Sequence, residues 1–398
     1  MANNETYRRR AVRVSVSCGA AVRVLLLSAY DAESHRRWRL TISALFSHYD
    51  WTHLTLAPRY FSWRSRGNSL SWAFGHRAQL EQGYDLVIAT SMVDLSALRG
   101  FVPALARIPT LVYFHENQFA YPGSGGQHAS VEPQILNLYT ALAGDRVIFN
   151  SAFNRDTFLH GVAALLAKMP DQVPPTIVEQ LRQKSAVVPV PIEDSAFAAA
   201  TETIDSELVA LWHNRWTPAA KLKIVWAARW EYDKGPEGLL AILQCLERRG
   251  VDYRIAIVGQ QFRRCPEAFS TIEAQFKSCL AHFGYIDSAV EYRACLASAD
   301  IVLSTALHEF QGLSVIEAMA AGCVPVLPNR QVYPELVPAS YLYASSPDNL
   351  AAEAEAAVDL IEAYCPQRSK VPAAGLFSAA LLKPRYHQAF VDTIEAQR

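Results

Sequence analysis

The chain's 398 residues are 51% hydrophobic and 19% charged, enough apolar material for two domains of about 150 to 200 residues. No apolar run approaches the ~18 residues that a membrane helix needs, so the composition excludes an integral span and no stable membrane association is expected. The net charge of −1 hides an asymmetry, because residues 1–190 hold 19 Lys and Arg against 13 Asp and Glu while the remainder holds 18 against 25; a polyanionic partner is expected on the first half.

Residues 1–20 carry Arg8, Arg9 and Arg10 but no continuous apolar core, which predicts a disordered lead rather than a targeting segment. Residues 22–29 read as a buried strand, 30–35 as a turn, and the stripe Trp38, Leu40, Ile42, Leu45 and Phe46 as a helix to about residue 48. Residues 51–57 give the second strand. In 58–68 arginines (Arg59, Arg64, Arg66) and rings (Tyr60, Phe61, Trp63) interleave without clean periodicity, which suits an RNA loop, or equally a packed loop with solvated arginines. Strands follow at 84–90 and 109–114, the latter running into His115-Glu116-Asn117-Gln118, polar groups of the kind that line the crevice at a strand's carboxyl end. Residues 123–128 read as a flexible flap or connector. After a strand end near 146–151 and a helical stretch, residues 186–192 become a stiff Pro-containing linker.

The first domain is therefore taken as 21–190 and the second as 191–375, with 376–398 a helix that crosses back. Strands are expected at 222–228, 253–259, 281–285, 299–305 and 323–328, with helices between. Alternation in both halves predicts an α/β protein of two doubly wound parallel sheets. Seven scattered cysteines without a C-x-x-C pair read as reduced, mostly buried thiols of a cytoplasmic protein, with no metal site. Neither a dinucleotide fingerprint nor a P-loop is present.

Residues 308–322 are the chemical centre. Entry into a helix at Gly312-Leu313-Ser314 offers free amides and the positive end of a dipole to a phosphate. Glu309 before that turn and Glu317 one turn inside it could each hold hydroxyls, as a nucleotide sugar requires. Ser314-x-x-Glu317 also fits a capping box, in which Glu317 would serve its own helix. Arg229 and Lys234, after another strand, are placed to stabilise a leaving diphosphate. No Asp-x-Asp pair accompanies them, so a metal-independent transfer is expected.

Glu309-x7-Glu317 with Arg229 and Lys234 resembles the nucleotide-binding domain of retaining glycosyltransferases of family 4, which have the two-Rossmann GT-B architecture with a cleft between the domains. Residues 304–310, Pro328-Asn329-Arg330, Tyr333-Pro334-Glu335-Leu336, 111–122, 59–67 and 90–95 look like the tRNA-queuosine α-mannosyltransferase group. The resemblance implies transfer of mannose from GDP-mannose to a cyclopentenediol hydroxyl of queuosine in tRNA, with no cofactor beyond that donor. It places His115 at the reacting centre and Glu309 on the donor sugar. Glu317 would take the ribose and Arg229 and Lys234 the diphosphate, with Gly259, Phe310, Gln311, Gly312, Leu313 and Ser314 completing the donor surface. Ser34, His35, Arg59, Trp63, Arg64, Arg66, Asn117 and Gln118 would face the acceptor. One departure is the first turn, where the group has two glycines and this chain has Ala32-Glu33. Other readings are a family 4 enzyme with a different sugar or a lipid, glycan or metabolite acceptor, and a non-catalytic RNA or nucleotide binder.

Overall fold

The computed structural model describes residues 21–121, 130–197, 206–217, 222–262, 265–364 and 371–396. The expected lead at 1–20 and the 123–128 segment lie outside them. The first sheet comprises β1 (Arg23–Ser28), β2 (Asp50–Thr55), β3 (Leu86–Thr90), β4 (Thr110–Phe114), β5 (Arg146–Phe149) and β6 (Ser185–Val187) in the order β2-β1-β3-β4-β5-β6. The second comprises β7 (Leu222–Ala227), β8 (Tyr253–Val258), β9 (Leu280–Gly284), β10 (Ile301–Leu303), β11 (Val324–Pro328) and β12 (Leu342–Tyr343) in the order β12-β11-β10-β7-β8-β9. Every pairing is parallel.

Parallel sheets need both faces covered, and the strands answer with unbroken apolar runs: β3 and β11 are buried at every residue. In the second sheet the chain runs outward from β7 to β9 and then returns to the other side of β7 as β10, so a crevice opens between the carboxyl ends of β7 and β10. In the first sheet the corresponding reversal lies at β1 and β3.

The two halves are joined twice. Val188 and Val190 of the connecting segment are buried, and Ile192 pairs with Ser378: the Ile192 amide donates to the Phe377 carbonyl at 2.8 Å and the Ala379 amide to the Ile192 carbonyl at 3.0 Å. The helix Ala379–Glu395 then lies on the first sheet, where Leu382, Tyr386 and Phe390 pack with Val24, Leu26, Trp38, Ile42 and Phe46. Each such buried side chain contributes about 1.5–3 kcal/mol, so this last helix belongs energetically to the first domain.

Of residues 58–68, only 58–60 are a loop. Phe61–Gly75 is a helix, entered through Tyr60 in the left-handed region at φ 56°. Its pattern is masked because Gly67 accommodates the Trp63 indole, whose Cε2 would sit 2.5 Å from a Cβ there, while Asn68, which faces inward, is buried by polar contacts to the Arg64, Ser65 and Met92 carbonyls. The five described cysteines are free, and among the described residues no helix is long and apolar enough to cross a membrane.

Candidate active site

The crevice of the second sheet is assembled by backbone contact between two crossovers. Trp226 donates its indole N–H to Thr305 Oγ1 at 3.0 Å, and Thr305 Oγ1 donates to the Lys234 carbonyl at 2.9 Å. The amides of Leu307 and His308 donate to the Asp233 carbonyl at 2.9 and 3.1 Å. The approach is close enough that a Cβ on Gly235, which sits at φ 65°, would lie 2.1 Å from the Thr305 carbonyl oxygen. Gly259 plays the same part at the end of β8, with a Cβ position 1.7 Å from the Ala228 carbonyl oxygen.

This lacing aims Lys234 at the second crossover. Its Nζ lies 2.9 Å from the His308 carbonyl, 3.2 Å from Glu309 Oε2 and 3.1 Å from Asp233 Oδ2. Burial works against its charge, but Glu309 and Asp233 outweigh burial and raise its pKa. Glu309 is likewise penalised by burial, yet Lys234 and the amides of Gly312 and Gln311 hold its carboxyl below the ordinary value. The helix Leu313–Ala320 starts at Gly312, at φ 75°, with no side-chain cap on its first amides. Ser314 lies inside the helix, so the capping box does not form. Glu317 instead accepts from Arg37 of the first domain and, at 3.3 Å, from the Tyr292 hydroxyl. Arg229, half-exposed, pairs with Glu231 at 2.8 Å. Burial opposes its charge, but Glu231 and Tyr121 raise its pKa; burial in turn pushes the Tyr121 phenol up to about 12, against the pull of Arg229.

Across the cleft β4 ends in His115-Glu116. The His115 ring lies flat on that of His35, with centroids 4.0 Å apart, and Trp38 packs edge-on at 4.9 Å. His35 Nε2 meets Glu116 Oε2 at 3.2 Å, which fixes Nε2 as the protonated nitrogen facing a carboxylate. Burial, reinforced by His35, holds the His115 pKa well below 6.5, so that ring is a neutral imidazole. Among the described residues neither His35 Nδ1 nor His115 Nε2 has a hydrogen-bond partner, although both rings are buried. Unpaired nitrogens of this kind are costly in a core and useful at a reacting centre. Tyr121 carries the first domain over to the second, edge-on to His308 at 5.4 Å.

A tRNA-queuosine α-mannosyltransferase N-terminal model matches residues 23–192, and a glycosyl transferases group 1 model matches 213–368. The tRNA-queuosine α-mannosyltransferase of Drosophila melanogaster is 33% identical over 334 residues, covering 83% of this chain and 85% of that one. The chain belongs to the tRNA-queuosine α-mannosyltransferase family. A second relative, the GDP-mannose:cellobiosyl-diphosphopolyprenol α-mannosyltransferase of Xanthomonas oryzae pv. oryzae, matches 26% of this chain and 28% of its own length at 27% identity. Solved structures agree on the GT-B fold. HepE of Anabaena in complex with UDP superposes with a TM-score of 0.64 at 14% identity, covering 94% of this chain and all of that one; sucrose-phosphate synthase of Thermosynechococcus elongatus reaches 0.66 at 15%, with the same coverage.

In this family member several residues expected at the ligand surface are spent on architecture. Gln311 is buried and clamps the connecting segment, accepting from the Val190 amide and donating to its carbonyl, both at 2.9 Å. Asn117 is fully buried. Its Nδ2 contacts Asn154 and Thr157, and its Oδ1 caps the amides of Phe119 and Ala120 at 3.0 Å, so it shapes the turn after His115. Gln118 is held by its backbone: its amide donates to Asn137 Oδ1 at 2.8 Å. Phe310 is buried edge-on to His308 and near Phe153 of the first domain. Ser34 and Arg59 are exposed, Trp63 is 53% exposed, Arg64 is half-buried and Arg66 reaches Asp94 at 3.3 Å. Glu33 of the departing turn points along its helix to Arg36. The sequence gives no individual role to Arg37 or Tyr292, and it shows Glu116, Tyr121 and Glu335 only as members of the segments 115–118, 111–122 and 333–336. Glu335 accepts the Ala152 and Phe153 amides at 2.8 and 2.9 Å, capping a first-domain helix from the second domain. Tyr333-Pro334-Glu335-Leu336 was visible as a motif, but its partner lies 182 residues away.

Proposed function

We propose that the protein transfers mannose from GDP-mannose to queuosine in tRNA, with retention of configuration, in the cytoplasm. The observation that carries this reading is the Lys234–Glu309 couple at the β7–β10 crevice, opposite an imidazole pair with unpaired nitrogens. Glu309, kept ionised by Lys234, accepts hydrogen bonds from the sugar hydroxyls. Arg229, Lys234 and the amides at Gly312 and Leu313 receive the diphosphate, each charge-assisted contact worth about 1.5–3 kcal/mol. Glu317 takes the ribose hydroxyls once Arg37 withdraws.

As the bond from the anomeric carbon to the phosphate oxygen breaks, its electron pair leaves with the diphosphate, where those cations stabilise it. The acceptor hydroxyl adds to the same face, and its proton passes to the departing phosphate oxygen. His115, neutral, orients that hydroxyl through its free nitrogen. Arg59, Arg64 and Arg66 meet the tRNA backbone while Trp63 stacks on an unpaired base. The test is incubation of queuosine-containing tRNA with a panel of nucleotide sugars, followed by nucleoside mass spectrometry. A hexose-mass gain with GDP-mannose is expected; a gain with another donor, or none, overturns the assignment.

A further inference from the structure

The acceptor half holds a carboxylate to which sugar transfer itself gives no task. Glu116 directly follows His115 at the end of β4, and 24% of its side chain is exposed, far more than the buried rings beside it. Oε2 is engaged by His35 Nε2 at 3.2 Å, and no protein partner holds Oε1 among the described residues. Burial penalises its charge, but His35 first, then Arg229 and His308, keep it ionised. Arg229 is the cation that a diphosphate would claim, and that claim releases negative potential at Glu116 towards the acceptor. An ionised, partly reachable carboxylate next to two stacked imidazoles is matched by a ligand that carries hydroxyls and a cation together.

We infer that Glu116 is a specificity-determining residue that pairs with a cationic nitrogen on the acceptor. The inference rests on the proposed function, under which that nitrogen is the secondary ammonium joining queuosine's cyclopentenediol to its base. The nitrogen sits on the ring carbon next to a hydroxyl-bearing one, so a hydroxyl held at His115 brings the ammonium to the neighbouring side chain. The charge separates queuosine from an unmodified guanosine, which has neither diol ring nor amine.

The experiment compares three queuosine tRNAs: unmodified, methylated at the amine so that bulk is added and charge kept, and acetylated so that charge is lost. The parent enzyme should use the first two and lose about tenfold or more in kcat/KM on the third. Glu116→Gln keeps the shape and an acceptor for His35, and it should erase the difference between methylated and acetylated tRNA while leaving GDP affinity unchanged. Glu116→Asp should restore part of it. If Glu116→Gln retains the parent's ratio, Glu116 merely orients His35 and the inference is overturned. No transfer by the parent to any of the three would overturn the proposed function as well, which sets that failure apart from this one.

Discussion

Arg37, on the first domain's helix Glu33–Leu45, pairs with Glu317, on the second domain's helix Leu313–Ala320, so one ion pair spans the cleft. Glu317 is buried and Arg37 is 41% exposed, so the contact stands at the solvent edge of the cleft, where a ribose would have to displace it. Arg37→Glu puts two carboxylates in that place. The domains should separate, seen as a larger radius of gyration in small-angle scattering, because like charges at that contact repel. An unaltered scattering profile would show that the pair does not hold the halves together.

Lys234 is buried among Asp233, Glu309 and the His308 carbonyl. Lys234→Met removes the cation and leaves two carboxylates facing each other, which costs about 3–5 kcal/mol of stability when a buried pair is broken on one side. Donor turnover should fall by at least about a hundredfold, since ground-state and transition-state contacts are both lost. Glu309→Gln, by contrast, should abolish transfer with a smaller loss of stability and nearly unchanged tRNA retention. Denaturant titration, a turnover assay and filter binding separate the two variants.

Stability should decline as pH falls below neutrality. His115 has its pKa held well below 6.5 by burial, and His53, His282 and His308 are lowered too. An imidazole that resists protonation in the folded state leaves stability intact above the unfolded pKa and loses it as pH drops below that value, at about 1.4 kcal/mol per pH unit for each proton. The depressed carboxyls Glu309 and Glu116 act lower, their contribution being lost as pH falls through and below 4.5. Denaturant titrations between pH 7.5 and 5 should show the decline, and His115→Gln should make it shallower by up to one proton.

Gly235→Ala drives a Cβ to 2.1 Å from the Thr305 carbonyl in a left-handed backbone position. The two crossovers must separate, which moves Lys234 away from Glu309. Loss of activity together with a lowered melting temperature is expected; Gly250→Ala, with φ 67° and nothing within 4 Å of its added Cβ, is the control for backbone strain alone.

Trp63→Ala removes a ring that is 53% exposed. If that ring stacks on tRNA, the KM for tRNA should rise about tenfold, from the ~1–3 kcal/mol of a base-aromatic contact, with the melting temperature unchanged. Arg64→Ala with Arg66→Ala should instead flatten the salt dependence of tRNA binding.

The alternation of short apolar strands with helices was legible because parallel sheets bury both faces and leave continuous hydrophobic runs, as in β3 and β4. Glu309 and Lys234 stand out in the sequence as charged groups just past strand ends, and the structure brings them within 3.2 Å of each other. What the sequence concealed depends on distance along the chain or on shape. Nothing local marks Arg37 as the partner of a residue 280 positions away. Gln311 reads as a ligand group until Val190 is seen to consume both ends of its amide. The helix at Phe61 lost its periodicity because Trp63 folds over a glycine and Asn68 is an inward-facing polar residue.

The stitch between Ile192 and Ser378 has a mechanical consequence. Two chain segments cross between the halves side by side, and hydrogen bonds tie them into one narrow strip. A single strand would swivel freely, whereas a bonded pair resists twisting and bends readily in one direction. Substrate entry should therefore swing the halves like a door about that strip, with the widest travel at the rim farthest from it.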